Sequence, residues 1–190
     1  MIAERLKTET RSAHQALEAL VIPRIKNTDK DTYPQLLAIF YGYFKPVETL
    51  IDHHINDSII PGYARRRKAT VLLQDIHAVQ PGATEPPLCH TLPLIDDPYR
   101  ALGAMYVLEG STLGGKIISK MLMQRLQQDS TDGIAFFGGY GDDTDAMWAS
   151  FIRTLDGYTT DKAEQDEIVA GATDTFTCFR QWVALHGQKN

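Results

Sequence analysis

Between Asp97 and Gln128 the sequence reads as one long amphipathic helix, yet Gly103, Gly110, Gly114 and Gly115 fall inside it. Their neighbours, among them Ala101, Leu102, Met105, Leu108, Leu113, Met121 and Leu122, are strong helix formers. Each interior glycine costs roughly 1 kcal/mol against alanine, so a helix kept only for its apolar face would not carry four. Bare backbone must be needed there: for a kink, for a close helix crossing, or for a flat ligand laid against peptide groups. The densest stretch is Gly110-Ser111-Thr112-Leu113-Gly114-Gly115.

The rest of the chain supplies a helical frame for that segment. Apolar residues recur at helical spacing, without sustained strand-like alternation. The spacing predicts a first helix over Ala3–Val21, with Leu6, Thr10, Ala13, Leu17 and Leu20 on one stripe and Pro23 just past its end. A second starts at Asp31 or Thr32, has Pro34 in its first turn and runs to Ile55, with a kink expected at Pro46. A third covers Tyr63–Val79, and 81–97, with four of the nine prolines, reads as a connecting loop. After the glycine-bearing helix come a glycine- and aromatic-rich loop, Gly133–Gly141, and helices over Asp143–Leu155 and Asp161–Leu185. With 190 residues, no internal repeat and no linker, the expectation is a single all-α domain over residues 1–190, a multi-helix bundle.

Composition narrows the function classes. The net charge of −5 argues against a general nucleic-acid binder. The charged start, Met1-Ile2-Ala3-Glu4-Arg5, is no secretory signal, and no run approaches the roughly 20 apolar residues of a membrane span, so a cytoplasmic location is expected. Cys89 and Cys178 form no CxxC pattern and read as unpaired thiols in a reducing compartment. Neither a GxxxxGK[ST] loop nor a pair of Glu-x-x-His motifs is present, which removes P-loop nucleotide chemistry and di-iron carboxylate chemistry.

Near the N-terminus, Lys7 and His14 are two turns apart and nearly in line on one helix face, separated by roughly 10 Å along the axis. That matches the span from a haem iron to the ring edge bearing the propionates. Glu18, one turn further, is placed to accept a hydrogen bond from the imidazole nitrogen that does not face the iron. Taken alone, the helix reads more readily as a solvated lysine and an ordinary helix histidine.

Taken with the glycine segment, Lys7-x6-His14-x3-Glu18 resembles the proximal helix of the haem oxygenases. Tyr106-Val107-Leu108-Glu109-Gly110-Ser111-Thr112-Leu113-Gly114-Gly115 is similar to the distal helix of their bacterial branch, and Gly133-Ile134-Ala135-Phe136-Phe137 to the segment that follows it. The resemblance spans Leu6 to Trp182. It implies haem between a proximal N-terminal helix and a kinked distal helix, with haem as both substrate and cofactor, opened by dioxygen and electrons to biliverdin, carbon monoxide and ferrous iron. His14 would be the axial iron ligand, Glu18 its partner, and Lys7 and Tyr106 propionate contacts. Gly110, Gly114 and Gly115 would let the distal helix bend over the ring, and Phe137 and Phe176 match aromatic positions near it or in the core. The resemblance also implies an external electron donor, a ferredoxin or flavoprotein reductase, since the chain has no flavin, nicotinamide or iron–sulfur motif.

One departure bears on the chemistry. Animal members carry an aspartate directly after the first distal glycine, where it anchors the water that delivers a proton; this chain has Ser111. Ser111 or another polar side chain would have to hold that water. The alternative is a non-catalytic haem carrier on the same fold. A thiaminase-like hydrolase would need a reactive cysteine, and neither Cys89 nor Cys178 has a motif around it. The remaining features read plainly: His53-His54 as a solvated helix end, Arg65-Arg66-Arg67-Lys68 as a solvated basic helix face on which an acidic redox partner could dock, and Glu109 without a role.

Overall fold

The computed structural model describes residues 1–186, so the last four residues of the expected 1–190 domain lie outside the described residues. Eight α-helices form among them: α1 (Ile2–Glu9), α2 (Arg11–Asn27), α3 (Tyr33–Asp52), α4 (Thr70–Val79), α5 (Pro98–Gly110), α6 (Gly115–Leu126), α7 (Thr144–Tyr158) and α8 (Lys162–Leu185). The expected all-α class therefore holds, while several boundaries move for identifiable reasons.

The first expected helix bends at Thr10 into α1 and α2. Its hydroxyl donates to Leu6 O at 2.6 Å, competing with the regular backbone ladder. The helical path nevertheless continues, since Thr10 N–H donates to Leu6 O and His14 N–H to Thr10 O. Pro23 lies inside α2 and does not end it. Beyond it the Arg24 guanidinium donates to Leu20 O at 2.6 Å and to Val183 O of α8 at 3.3 Å, and Ile25 is buried. Tertiary contacts thus carry α2 one turn past a local breaker.

Helix α3 threads the middle of the bundle, and residues 39–44 are buried without interruption. It also runs through Pro46. A proline cannot donate to the carbonyl four residues back; here that carbonyl, Gly42 O, is taken instead by Cys89 N–H at 2.7 Å. The proline-rich loop is thereby pinned against α3. Aromatic rings form the core around this helix, with Tyr43 stacked on Phe179 at 4.5 Å and Phe40 edge-on to Phe137 and Phe179 at 5.0 and 5.4 Å. As expected, His53 and His54 lie just beyond the end of α3, with His53 exposed.

The third expected helix contracts. Residues Tyr63–Arg65 make only a 3-10 turn, Arg66 is extended, and α4 begins at Thr70. The expected helix over 97–128 separates into α5 and α6, joined by turns over 111–114.

Candidate functional site

His14 lies in the first turns of α2 with half of its side chain exposed, 52 %, so it is no core histidine. Its ring lies beside buried Phe176 of α8, the centroids 5.2 Å apart and the planes tilted by 40°. Glu18 Oε1 stands 3.5 Å from His14 Nε2, an ion-pair distance too long for a firm hydrogen bond. Neither ring nitrogen has a hydrogen-bond partner among the described residues, and a half-turn of the ring selects which one meets Glu18. Lys7 is exposed on α1, which is anchored by Arg5 to Asp166 at 2.6 Å and by Ala3 N–H to Asp156 at 2.9 Å.

The glycines of the distal segment divide into three physical roles. A Cβ on Gly103 would lie 2.0 Å from Ile168 O and 2.7 Å from Ala172 N of α8. Opposite it, a Cβ on Gly171 would lie 2.4 Å from Arg100 O. These two allow α5 and α8 to cross with backbones nearly touching. Gly115 admits the loop after α6, because a Cβ there would come within 2.7 Å of Phe137 O. Gly110 and Gly114 flank the break itself. A Cβ on Gly110 would meet only Trp148 at 3.7 Å, and one on Gly114 only the tip of Ile118 at 3.1 Å. Leu113, in the turns over 111–114, and Ile117, in the first turn of α6, are exposed by 47 % and 72 %. Such paired exposed apolar side chains suit a flat apolar ligand.

The basic run is not a solvated helix face. Arg66 is 4 % exposed and pairs with equally buried Glu109 at 2.6 Å, so Glu109, expected to have no role, closes a buried ion pair. Tyr140 O–H donates to the other oxygen of Glu109 at 2.8 Å and accepts Arg67 N–H at 2.9 Å. The Arg67 guanidinium then reaches the break. It donates to Leu108 O at 2.9 Å, to Ser111 Oγ at 2.6 Å and to Phe136 O at 3.1 Å, and lies 4.0 Å over the Phe136 ring. Desolvation in these surroundings pulls its pKa down to about 10. Lys68 joins Asp52 at 2.7 Å. Arg100 and Lys116, the sequence-level candidates for Glu109, are occupied elsewhere: Arg100 by Glu167 and Asp174, Lys116 by Asp142.

Ser111 Oγ both accepts from Arg67 and donates to Leu108 O at 2.6 Å, while the residue itself remains exposed. Tyr106 is half-buried, 5.5 Å from Trp148, and burial with nearby Glu4 of α1 raises its phenol above the usual range. Of the two phenylalanines, Phe176 stands beside His14 and Phe137 lies in the aromatic core against Phe40. Sequence reasoning missed Arg67, Arg66 and Tyr140. Four consecutive cationic residues carry no signal of which two turn inward.

Comparison with known proteins places this fold in a family. The family model described as heme oxygenase matches residues 1–185. Heme oxygenase PigA of Pseudomonas aeruginosa is 26% identical over 185 residues, covering 93% of this chain and 88% of the relative. A heme oxygenase of Xanthomonas campestris pv. campestris is 29% identical over 162 residues, covering 84% and 93%. Among solved structures, the NO- and CO-bound heme oxygenase from Neisseria meningitidis superposes with a TM-score of 0.80 at 21% identity, covering 98% of this chain and 92% of that one. Heme oxygenase from Leptospira interrogans superposes at 0.79 and 18% identity, covering 97% and 98%. With the histidine helix, the broken glycine helix and a match over nearly the whole length, the chain belongs to the haem oxygenase family.

Proposed function

We propose that in the haem-cleaving reaction of this family the ring lies between α2 and the α5–α6 break, with His14 as its axial ligand. The observation that carries this reading is the half-exposed imidazole with no hydrogen-bond partner, seated on Phe176. A neutral nitrogen is the ligand type that haem iron takes from histidine. Glu18 orients the ring, and Lys7 and Tyr106 take the propionates. Gly110, Gly114 and Gly115 keep side chains off the bend, and Leu113 of the turns and Ile117 of α6 supply apolar contact. Ser111, held by Arg67, positions the water that the absent carboxylate would otherwise hold. Phe137 supports the bend from the core, its carbonyl against Gly115.

The haem supplies the oxygen chemistry; the protein binds, orients and excludes competing groups. Electrons come from a ferredoxin or a flavoprotein reductase, because two cysteines cannot build a four-cysteine iron–sulfur site within the chain. No helix of the described residues is long and apolar enough to cross a membrane. Both cysteines are free, which suits action in the reducing cytoplasm.

The test is an absorption titration with haemin, followed by ascorbate or a ferredoxin–reductase system in air. A stoichiometric Soret band that decays into a biliverdin band is the expected outcome, and His14→Ala should abolish turnover and weaken haem binding. Normal turnover by that variant would remove the ligand assignment. In the same titration Lys7→Ala should leave the Soret position in place while loosening haem or changing the cleavage position.

A further inference from the structure

The imidazole of His14 has no firm hydrogen bond to fix its plane, since Glu18 Oε1 stands 3.5 Å from Nε2 and neither ring nitrogen has another partner among the described residues. A histidine that ligates a metal ordinarily has its ring held through the nitrogen that does not meet the ion. Phe176 supplies a different constraint. Its ring centroid lies 5.2 Å from that of His14 with the planes tilted by 40°, inside the range of separations that aromatic pairs prefer. A half-turn of the imidazole about its Cβ–Cγ bond exchanges the sides on which Nδ1 and Nε2 lie, yet it leaves the ring plane where it was. Glu18 therefore selects which nitrogen faces it, while the contact with Phe176 is the same in either state.

Of the two rings, Phe176 is the fixed one. It is 6 % exposed, and the residue before it, Thr175, is fully buried. The Thr175 carbonyl accepts Tyr43 O–H at 2.6 Å, and its hydroxyl donates to Gly171 O at 2.7 Å. One turn further along α8, Phe179 stacks on Tyr43 with the planes 7° apart. Trp182 then donates its indole N–H to Ile39 O at 2.8 Å. Successive turns of α8 are thus tied to α3 in the middle of the bundle, while His14 keeps half of its side chain exposed.

We propose that Phe176 is a positioning residue for the axial ligand, its buried ring setting the plane in which the His14 imidazole stands. The inference rests on the reading that His14 ligates haem iron. The plane of an axial imidazole decides how its π orbitals align with the iron orbitals. A change of plane therefore redistributes unpaired spin over the four pyrrole rings while the ligand set stays the same.

Phe176→Leu tests the idea, because it keeps an apolar side chain in the core and removes the ring. In the haem-free variant, proton NMR should show the His14 ring protons losing the shift that a neighbouring aromatic ring imposes. In the ferric, cyanide-bound complex the order and spread of the four haem methyl resonances should change, while the Soret maximum stays at the parent wavelength. Haem degradation should slow at least tenfold, the scale of a lost group that orients a metal ligand. Phe176→Tyr keeps the ring and should restore the parental methyl pattern. Lost packing alone would lower the melting temperature and leave that pattern unchanged, so parental methyl resonances in Phe176→Leu would overturn the proposal. Unmoved His14 ring protons in the haem-free variant would overturn it equally. Should Phe176→Leu fail to fold, Phe176→Met fills more of the same space, and parental methyl resonances in it would overturn the proposal. Failure of the parent chain to give a Soret band would instead overturn the haem reading itself.

Discussion

Gly103→Ala and Gly110→Ala are the same chemical change seven residues apart in one helix, and the structure assigns them opposite signs. At Gly103 the new methyl would lie 2.0 Å from Ile168 O and 2.7 Å from Ala172 N, against an ordinary contact distance of at least 3.4 Å. Both obstacles are backbone of α8, so no rotamer change relieves them. The helices must separate by roughly 1 Å, in a region where Ala101, Leu102, Ala104, Ile168 and Ala172 are all fully buried. Overpacking of this kind costs about 1–3 kcal/mol and occasionally more, and a rigid double clash belongs at or above the top of that range. Alanine returns roughly 1 kcal/mol of helix propensity, which leaves a net loss of about 2 kcal/mol. For a chain of this size that lowers Tm by about 4–8 °C. At Gly110 the methyl meets Trp148 at an ordinary 3.7 Å, so the propensity gain stands nearly alone and Tm should rise by about 2–4 °C. Thermal melts by circular dichroism, with urea midpoints at constant m-value, read both. A Gly103→Ala protein melting at or above the parent would refute the close-crossing account of this glycine.

Glu109→Leu strands Arg66 as an uncompensated buried charge and should cost about 3–5 kcal/mol in urea unfolding; Glu109→Gln, which keeps an acceptor for Arg66, should cost measurably less, and equal losses would deny the ion pair its importance. Asp75 gives a pH dependence. It accepts Ala135 N–H at 3.0 Å and Phe136 N–H at 2.8 Å, yet burial dominates and holds its carboxyl above the ordinary 3.8. The folded chain therefore binds that proton more tightly than the unfolded chain, so the Asp75 contribution to stability declines as pH rises from 3.8 through the folded value. Urea midpoints measured against pH should show that decline in the parent and lose it in Asp75→Asn, and an identical slope in both would rule Asp75 out as its source.

Helix content was legible because it rests on local periodicity, and so was the break, because glycines are dear within a helix. The sequence could not divide the glycines by role. Gly103 serves a crossing whose other half, Gly171, lies 68 positions away, and only the packed pair shows why both are bare. The same limit hid the end of the third expected helix. Residues 66–69 leave the helical path because Glu48, Glu109 and Tyr140 draw them elsewhere, and each partner is remote in sequence. His14, Glu18 and Phe176 represent the opposite case for the candidate site. The His14–Glu18 spacing is visible in the chain, whereas the ring that backs the imidazole comes from α8.

A glycine lowers the cost of ending a helix but does not by itself decide where the helix ends. An α-helix that stops leaves carbonyls without intrahelical donors and a partial negative charge at its C-terminus. In an uninterrupted helix Leu108 O would receive Thr112 N–H; here that N–H turns to Glu109 O, and Leu108 O receives Ser111 Oγ and Arg67 Nη2 instead. The cation complements the exposed helix end and satisfies its orphan acceptor in one contact. Arg67 is in turn held by its own N–H on Tyr140, whose hydroxyl rests on Glu109 of the same last turn. The break is therefore fixed by a closed ring of contacts that begins and ends on α5. Ser111 accordingly does more than leave a carboxylate out: its hydroxyl can accept from Arg67 and donate to Leu108 O at once. An ionised aspartate offers no donor, so at this position it would leave Leu108 O to Arg67 alone. In this chain the residue that stands in place of the acid secures the bend.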